Sequence, residues 1–322
     1  MKMYKILAYI TAYCDKNALD ACLHGISNQS YPVDRVFILD NSPEPLIISD
    51  VSCLPLTVKN AQENLGIAFG ISEALELAVK GKYDFLWMFD QDSIPAPDCL
   101  ERLILTFDEN VNKKCLSIGI ISPTPIDSRT GEIIQPAVFK GDHFEGFPVD
   151  NFNSPYQCDS PITSGSLLAV YTADSVAPPD IRLFIDGVDL DYGLRLKNGD
   201  YQNIVVPNAI LQHTFGTPVE LCLFGVNKIF QRYSALRYYY ICRNHTYLEL
   251  SFSKGFYKFT CVLRRLQFLG SQFVWIPMIE TENKLQKIWA CLRGTYYGLM
   301  GDLDQQFSSR YNVLSYFKQS EI

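Results

Sequence analysis

Residues 5–107 alternate apolar, strand-like runs with helix-like stretches, and this alternation restricts the fold more than any other feature of the chain. Strand-like runs fall at 5–13, 35–42, 56–66 and 83–92, and helix-like stretches with one apolar face fall at 17–30, 67–82 and 99–107. Strands that alternate with helices form a mainly parallel sheet covered by helices. We therefore predict an α/β fold.

The pattern continues less regularly to about residue 218. We predict a strand at 115–127, an irregular Gly/Pro/Asp-rich insert at 127–160, a strand at 162–172, a strand end leading into a short helix at 183–199, and a closing strand at 201–213. From about 219 the chain reads as helical and rich in aromatic residues. The prediction is a sheet domain over 1–218 followed by a C-terminal helical extension over 219–322.

Charge divides the chain at almost the same place. Residues 1–220 carry 15 Lys+Arg against 29 Asp+Glu, whereas residues 221–322 carry 13 against 6. The acidic part argues against nucleic-acid binding, because phosphates bound there need a bridging metal or local donors. The two parts therefore favour different partners.

The sequence "LWMFDQDS" ends a buried strand with two carboxylates one residue apart, Asp90 and Asp92. A plain solvated turn is the alternative interpretation. At the end of an apolar strand, however, two such carboxylates can hold a divalent cation directly or through water. Ligands of open α/β sheets bind at the carboxyl ends of the strands, where Asp40 also lies.

Three further segments contain candidate residues for ligand binding, catalysis or metal binding. "ENLG" contains Asn64 and Gly66, and Gly66 permits close approach of the backbone to a ligand, although a turn is the alternative. "FIDGVDLDYGLR" places Asp186, Asp189 and Asp191 around a helix start, where capping explains some of the acids and one can serve as a general base. His213 ends the closing strand, and imidazole is a common metal ligand.

Taken in order, these motifs resemble the inverting nucleotide-sugar glycosyltransferases of family 2, which have a GT-A fold. The resemblance covers about residues 5–216. Within the family the chain is most similar to bacterial rhamnosyltransferases of surface-polysaccharide assembly, in which "DQDS" is a typical metal motif. The segment "RYYYICRNHTYL" at 237–248 is similar to one in the C-terminal helices of those proteins.

The resemblance implies roles for individual residues. The nucleotide-sugar group comprises Thr11, Asp40, Asn64, Gly66, Asp90 and Arg195, and Arg195 can also pair with a carboxylate of its own segment. Asp90 and Asp92 would hold Mg²⁺ or Mn²⁺ on the diphosphate, and His213 would complete the metal shell. Asp189 aligns with the catalytic base of related galactofuranosyltransferases. Asp186 stays a second candidate, as base or acceptor contact, because Gly187 replaces one member of an acidic pair found in other relatives.

The implied reaction is metal-dependent, inverting transfer of a sugar to a glycan or lipid-linked glycan in polysaccharide or O-antigen synthesis. Rhamnose from dTDP-rhamnose is the predicted donor, with galactofuranose, galactose and glucose as alternatives. A sugar-phosphate nucleotidyltransferase is a different class, but "TAYCDKNALD" after the first strand lacks the Gly-rich loop of such enzymes. A non-catalytic sugar-binding protein is the third interpretation.

The location is predicted from the N-terminal sequence, the cysteines and the C-terminal segment. The ten cysteines form no C-x-x-C pair, we find no signal peptide, and no apolar run reaches about 18 residues. Residues 221–322 interleave aromatic with basic side chains, as interfacial helices do. We predict a cytoplasmic protein, peripheral on the inner face of the cell membrane. A helical cap or a homo-oligomer interface is the alternative role of this segment.

Overall fold

The computed structural model describes residues 3–48, 54–113, 115–148, 153–214, 216–223 and 226–307. Contacts group the chain into two compact units. The first comprises residues 1–138, 145–184 and 188–214, and the second comprises residues 139–144, 185–187 and 215–322.

The first unit is built on nine strands of one mixed sheet. Up to residue 108 the elements are β1 Ile6–Ala12, α1 Lys16–Ser27, β2 Arg35–Asp40, β3 Leu56–Asn60, α2 Gly66–Lys80, β4 Phe85–Asp90, β5 Ser93–Pro95 and α3 Cys99–Asp108. The elements that follow in the chain are β6 Ile118–Asp127, β7 Ala137–Phe139, β8 Phe144–Gly146, β9 Tyr156–Cys158, β10 Leu167–Ala169, α4 Val188–Asn198 and β11 Gln202–His213. Of these strands, β7 and β8 form a separate two-stranded sheet. A π-helical turn covers Glu109–Lys113, and 3-10 helices cover Val170–Asp174 and Ile181–Leu183.

The strand order is β3-β2-β1-β4-β10-β6-β11-β5, and β9 pairs with β11 beside this path. The pairs β3–β2, β2–β1, β1–β4 and β6–β11 are parallel, whereas β5, β9 and β10 pair antiparallel with their neighbours. The predicted α/β class with a mostly parallel sheet is therefore confirmed.

Side-chain alternation along β4 explains how both faces of the sheet are covered. Phe85, Trp87 and Phe89 point into the apolar core that α1 and α3 complete. Met88, on the opposite face, lies near Ile71 of α2. Because β1, β2 and β4 are parallel, their carboxyl ends lie at one edge of the sheet, where Asp40 and Asp90 end their strands.

Two predicted strands differ from the structure. The strand predicted at 162–172 is only β10, because Gly165 turns the chain with φ +75° before it and a 3-10 helix follows directly. The strand end predicted at the start of 183–199 is not a strand, because a 3-10 helix ends at Leu183 and the turn that follows has positive φ angles at Phe184, Asp186 and Gly187. The insert at 127–160 contains the three short strands β7, β8 and β9.

The second unit begins with a β-hairpin of β12 Thr217–Leu223 and β13 Val226–Arg232. The expectation of helix from about residue 219 is therefore wrong at this point, since every second residue from Val219 to Leu223 is apolar, which is the period of a strand. Helices follow: α5 Ala235–Phe252, α6 Tyr257–Ile279 and α7 Lys284–Met300. None of the helices described is long and apolar enough to cross a membrane.

Helices α5 and α7 pack closely because α7 presents glycine to its neighbour. A Cβ added at Gly294 or Gly298 would collide with the backbone oxygens of Tyr239 and Arg243, respectively. Arg243 is fully buried and donates from Nη1 to the backbone oxygens of Leu303 and Gln305, at 3.0 and 2.7 Å. The part of "RYYYICRNHTYL" around Arg243 therefore helps to hold the helices of this unit together.

Candidate active site

Three potential metal ligands meet beyond the ends of β4 and β11. Asp90, Asp92 and His213 each offer one ligand atom, and these atoms lie within 4.8 Å of one another. His213 Nδ1 is 3.5 Å from Asp92 Oδ1. The antiparallel pairing of β5 with β11 places His213 opposite Ser93 and so brings it to the aspartates.

A chain of buried hydroxyls orients this cluster. Ser93 Oγ lies 2.7 Å from His213 Nδ1 and 2.6 Å from Ser164 Oγ, and Ser164 Oγ accepts from the backbone N–H of Asp90 at 3.0 Å. Both serines are buried. A hydrogen bond on one ring nitrogen fixes the imidazole and presents the other nitrogen to a metal. Ser93 and Ser164 therefore belong to the site.

Gln91, the residue between the two aspartates, stabilises the turn through hydrogen bonds to Tyr13. The Gln91 side chain accepts from the backbone N–H of Tyr13 at 2.7 Å and donates to the Tyr13 carbonyl at 2.9 Å. Its backbone N–H donates to Thr11 O at 3.2 Å. The "DQD" turn is thus fastened to the end of β1 through its central residue.

The donor set fits a divalent cation. Two carboxylates suit Mg²⁺ or Mn²⁺, and a buried imidazole held by a hydroxyl is a usual additional ligand. Asp90 and Asp92 are partly exposed, so the cluster is accessible to a phosphate-bearing ligand. The structure therefore contains a possible metal site of the D-x-D type.

At the end of β2, the Asp40 carboxylate bonds to its own chain. Its oxygens accept from the backbone N–H groups of Ser42 at 3.0 Å and Leu46 at 2.8 Å, and from Asn60 Nδ2 at 3.1 Å. Burial raises the pKa of this carboxyl, but the hydrogen bonds outweigh burial and leave the pKa below its ordinary value. Asp40 thus stabilises the turn that follows β2, and a contact with the nucleotide stays a prediction.

The neighbouring loop carries Asn64 and Gly66. Asn64 is exposed, and its Oδ1 accepts from Gly66 N–H at 3.0 Å. Gly66 has φ +82°, and a Cβ there would lie 2.5 Å from the carbonyl oxygen of Phe184. The close approach that requires glycine here is therefore to the protein's own backbone.

Asn41 lies in the turn after β2, and the sequence interpretation assigned it no role. It is 1% exposed, and its Oδ1 accepts from Leu65 N–H at 3.2 Å, so it joins the turn after β2 to the loop before α2. Its Nδ2 is buried without a hydrogen-bond partner. A buried amide donor without a partner is costly, which favours a ligand acceptor at this point.

Thr11 lies between the two strand ends. In the β-ladder it is opposite Asp90 of β4, while the next residue, Ala12, is opposite Asp40 of β2. Its hydroxyl is 2.7 Å from the Tyr9 hydroxyl. Asp40 and Asp90 are thus separated by β1, roughly 10 Å across two strand spacings.

Helix α4 positions two of the three acids in "FIDGVDLDYGLR". Asp189, in its first turn, accepts from Leu190 N–H at 2.9 Å and lines a small, mainly apolar cavity with Met88 and Tyr192. Asp191 is the carboxylate that pairs with Arg195, at 2.7 Å. Arg195 also donates to the backbone oxygens of Ala177 and Pro178, so all its observed contacts position α4.

The turn before α4 is held in a rare conformation. Phe184, Asp186 and Gly187 have φ angles of +63°, +62° and +75°, which is unusual for residues with a side chain. Within the second unit, Asn244 Nδ2 donates to the backbone oxygens of Ile185 and Asp186, both at 2.8 Å. The Asn244 side chain therefore maintains this turn.

The second unit also supplies the partner of the Asp186 carboxylate. Arg237 Nε donates to Asp186 Oδ2 at 3.2 Å, and Arg237 Nη2 donates to Oδ1 at 3.3 Å. Two residues of "RYYYICRNHTYL", Arg237 and Asn244, thus bind Asp186 through its carboxylate and its backbone. This bonding could not be read from the sequence, although the segment was noted there.

Comparison with known proteins finds one family whose sequence pattern matches part of this chain. Residues 8–160 match the family described as glycosyl transferase family 2. The matched residues include Asp40, Asn64, Asp90 and Asp92.

Similar proteins are glycosyltransferases. The chain is 23% identical to Mycolicibacterium smegmatis galactofuranosyltransferase GlfT1, over 66% of this chain and 72% of that protein. It is 27% identical to the Shigella flexneri dTDP-rhamnosyl transferase RfbF, over 56% of each. The crystal structure of GalNAc-T7 with UDP, GalNAc and Mn²⁺ has a TM-score of 0.55 at 13% identity and covers 76% of this chain and 47% of that one. With the family match, this likeness confirms the GT-A type of fold.

Proposed function

We propose that this chain, whose residues 8–160 match glycosyltransferase family 2, moves a sugar from a nucleotide sugar to an acceptor hydroxyl in a metal-dependent, inverting reaction. The observation that carries the proposal is the cluster of Asp90, Asp92 and His213 at the carboxyl edge of the sheet. A divalent cation bound there would neutralise the diphosphate of the donor and stabilise it as a leaving group.

Asp189 is the proposed catalytic base. It takes the proton of the acceptor hydroxyl while that oxygen bonds to the anomeric carbon and the bond to the diphosphate breaks. A single displacement inverts the anomeric configuration and needs no covalent intermediate, so one carboxylate base is sufficient.

Asp186 is assigned a supporting role. Its carboxylate is bonded to Arg237, and a proton acceptor already paired with a guanidinium is a weaker base. Contact with the acceptor is the role that we assign to it. The two acids are three residues apart in the chain, so separate substitutions can distinguish them.

Rhamnose from dTDP-rhamnose is the proposed donor sugar. The "DQDS" motif and the similarity to the Shigella flexneri rhamnosyl transferase support it. The similarity to a galactofuranosyltransferase makes galactofuranose the next donor to test, followed by galactose and glucose. The proposed acceptor is a glycan or lipid-linked glycan of polysaccharide or O-antigen synthesis, used at the cytoplasmic face of the membrane.

The test is release of the nucleoside diphosphate from each donor. The purified chain is incubated with dTDP-rhamnose, UDP-galactofuranose, UDP-galactose or UDP-glucose, in the presence of Mn²⁺, Mg²⁺ or EDTA. We expect dTDP release from dTDP-rhamnose with a metal and none with EDTA. Nucleotide release that is unchanged by EDTA would contradict the role of the metal cluster.

Other outcomes separate the alternatives. Release of UDP from UDP-galactofuranose alone would replace the donor but keep the reaction. Pyrophosphate formation from a nucleoside triphosphate and a sugar phosphate would identify a nucleotidyltransferase. Donor binding without turnover of any donor, detected by a thermal shift, would identify a sugar-binding protein.

A further inference from the structure

Helix α6 exposes an apolar stripe along its outer face. The residues Phe256, Phe259, Leu263, Leu266, Phe273, Val274 and Met278 are each 45–75% exposed. Successive members are three, four, three, seven, one and four residues apart, and at about 100° per residue all seven fall on one side of the helix. From Phe256 to Met278 the stripe runs roughly 33 Å. An exposed apolar stripe of this length marks an interaction surface.

The opposite side of the same helix is already used. Cys261, Arg265, Ile276 and Ile279 are buried, and the Arg265 guanidinium faces Glu249 at 3.5 Å. The helix therefore packs on its own unit by one face, while the other face is exposed and mainly apolar, with Gln267 as an exposed polar residue on it. An ordinary surface helix would carry polar residues on that outer face.

Within residues 250–279 every charged side chain is basic, and the exposed Glu282 follows the end of the helix. Residues 250–279 contain no Asp or Glu. Lys254, Lys258 and Arg264 are exposed, and Arg264 keeps a side-chain exposure of 53% although its Nε donates to Asp142. The aromatic residues Phe256 and Tyr257 lie between the two lysines in the sequence, and Phe259 follows Lys258 directly. This combination is that of a helix lying in a membrane interface.

We propose that the outer face of α6 is a docking surface for anionic phospholipid bilayers. The apolar stripe enters the boundary between head groups and acyl chains, and the lysines contact the acidic head groups. The biological role of this surface rests on the proposed function, because membrane binding would bring the enzyme to a lipid-linked acceptor. Its physical basis is independent of that function.

Charge favours a lipid surface over a second copy of the chain. A symmetric dimer through α6 would bring the same face of two copies together. The basic side chains of each copy would then find no acidic residue of 250–279 on the other copy to pair with. An anionic bilayer instead offers opposite charge to Lys254, Lys258 and Arg264 at the N-terminal end of the helix.

Vesicle sedimentation tests the proposal with a matched pair of substitutions. Leu266 in α6 and Leu105 in α3 are both 47% exposed, so Leu266→Glu and Leu105→Glu add the same charge to equally exposed helical positions. The full chain and both variants are mixed with phosphatidylcholine vesicles with or without phosphatidylglycerol, at low and high salt. Circular dichroism and thermal unfolding confirm that each variant folds.

We expect the full chain and Leu105→Glu to bind the anionic vesicles at low salt and to be released at high salt, because screening weakens the head-group contacts. Leu266→Glu should lower the partition coefficient about tenfold or more. Absence of wild-type binding at low salt, equal binding to neutral vesicles, or equal losses in the two variants would each overturn the proposal.

Two further measurements separate the remaining outcomes. Analytical ultracentrifugation without lipid detects self-association, and a dimer that Leu266→Glu dissolves while Leu105→Glu does not would make the face a self-interface instead. Release of nucleoside diphosphate from soluble donor should be unchanged in Leu266→Glu. If no chain turns over any donor while vesicle binding behaves as expected, the glycosyltransferase proposal fails and the lipid surface stands.

Discussion

The ends of β2 and β4 look alike in the sequence but differ in what their carboxylates bind. Both strands are buried, both end in aspartate, and both lie at the same edge of the sheet. The Asp40 oxygens accept three hydrogen bonds from the turn that follows and from Asn60. The oxygens of Asp90 and Asp92 instead lie within 4.8 Å of a His213 nitrogen.

The difference shows that position at a strand end does not by itself define the role of an acid. Asp40 accepts hydrogen bonds from two backbone N–H groups within six residues and from Asn60 of the adjacent strand. These hydrogen bonds within the first unit stabilise its negative charge. The carboxylates of "DQD" are brought to a histidine from β11, and such a cluster of like charges favours a cation. The two acids near α4 differ in the same way. The Asp186 carboxylate forms an ion pair with Arg237, whereas Asp189 lines a small cavity.

The largest expected effect is at the metal cluster. Asp92→Ala removes one of three ligand groups, and we expect nucleoside diphosphate release to fall to background because the donor diphosphate loses its cation. Asp174→Ala, at an exposed aspartate of a 3-10 helix, is the control and should keep full activity. Steady-state turnover with Mn²⁺ measures both. Full turnover by Asp92→Ala in the presence of EDTA would remove the distinction between the two strand ends.

The next effect concerns the two acids near α4. Asp189→Asn should keep donor binding and lose at least ~100-fold in turnover, the usual contribution of a general base. Asp186→Asn should cost less, because its carboxylate is already paired with Arg237. Turnover at saturating donor, together with donor affinity by calorimetry, gives the comparison. The reverse order of losses would make Asp186 the base.

The sequence predicted the sheet edge well because its signals are local. Apolar runs ending in aspartate located β2 and β4, and the alternation of strands and helices gave the fold class. The bond between Ser93 and His213 was out of reach, since it joins residues 120 positions apart through a three-residue strand. The Asp40 bonds depend on the exact path of a turn, and neither composition nor periodicity determines such a path.

A smaller effect is expected at Ser93, which is hydrogen-bonded to the proposed ligand His213. Ser93→Ala removes the hydroxyl beside His213 Nδ1, which should weaken the apparent Mn²⁺ affinity about 10- to 100-fold. Turnover at saturating Mn²⁺ should stay close to wild type, because both carboxylates remain. Ser128→Ala, which affects an exposed hydroxyl near the end of β11, is the matched control. A metal titration of nucleoside diphosphate release gives both numbers, and unchanged affinity in Ser93→Ala would show that the hydroxyl does not orient the ligand.

The smallest effect on catalysis is expected at Asp40, where the loss should appear in stability. Asp40→Asn weakens bonds to a charged acceptor, and we expect the free energy of unfolding to fall by about 1–3 kcal/mol at neutral pH. Donor binding should also be weaker, with little change in turnover at saturating donor.

The pKa of Asp40 is lowered in the folded state from its ordinary value of 3.8. Its stabilising contribution is therefore complete above that value and is lost as the pH falls through the folded-state pKa. The difference between wild type and Asp40→Asn should thus shrink in acid, whereas Asp200→Asn, at an exposed position, should match wild type throughout. Urea unfolding between about pH 7 and pH 3 measures this. A loss of turnover in Asp40→Asn as large as that of Asp92→Ala, with unchanged stability, would place both strand ends in the same catalytic role.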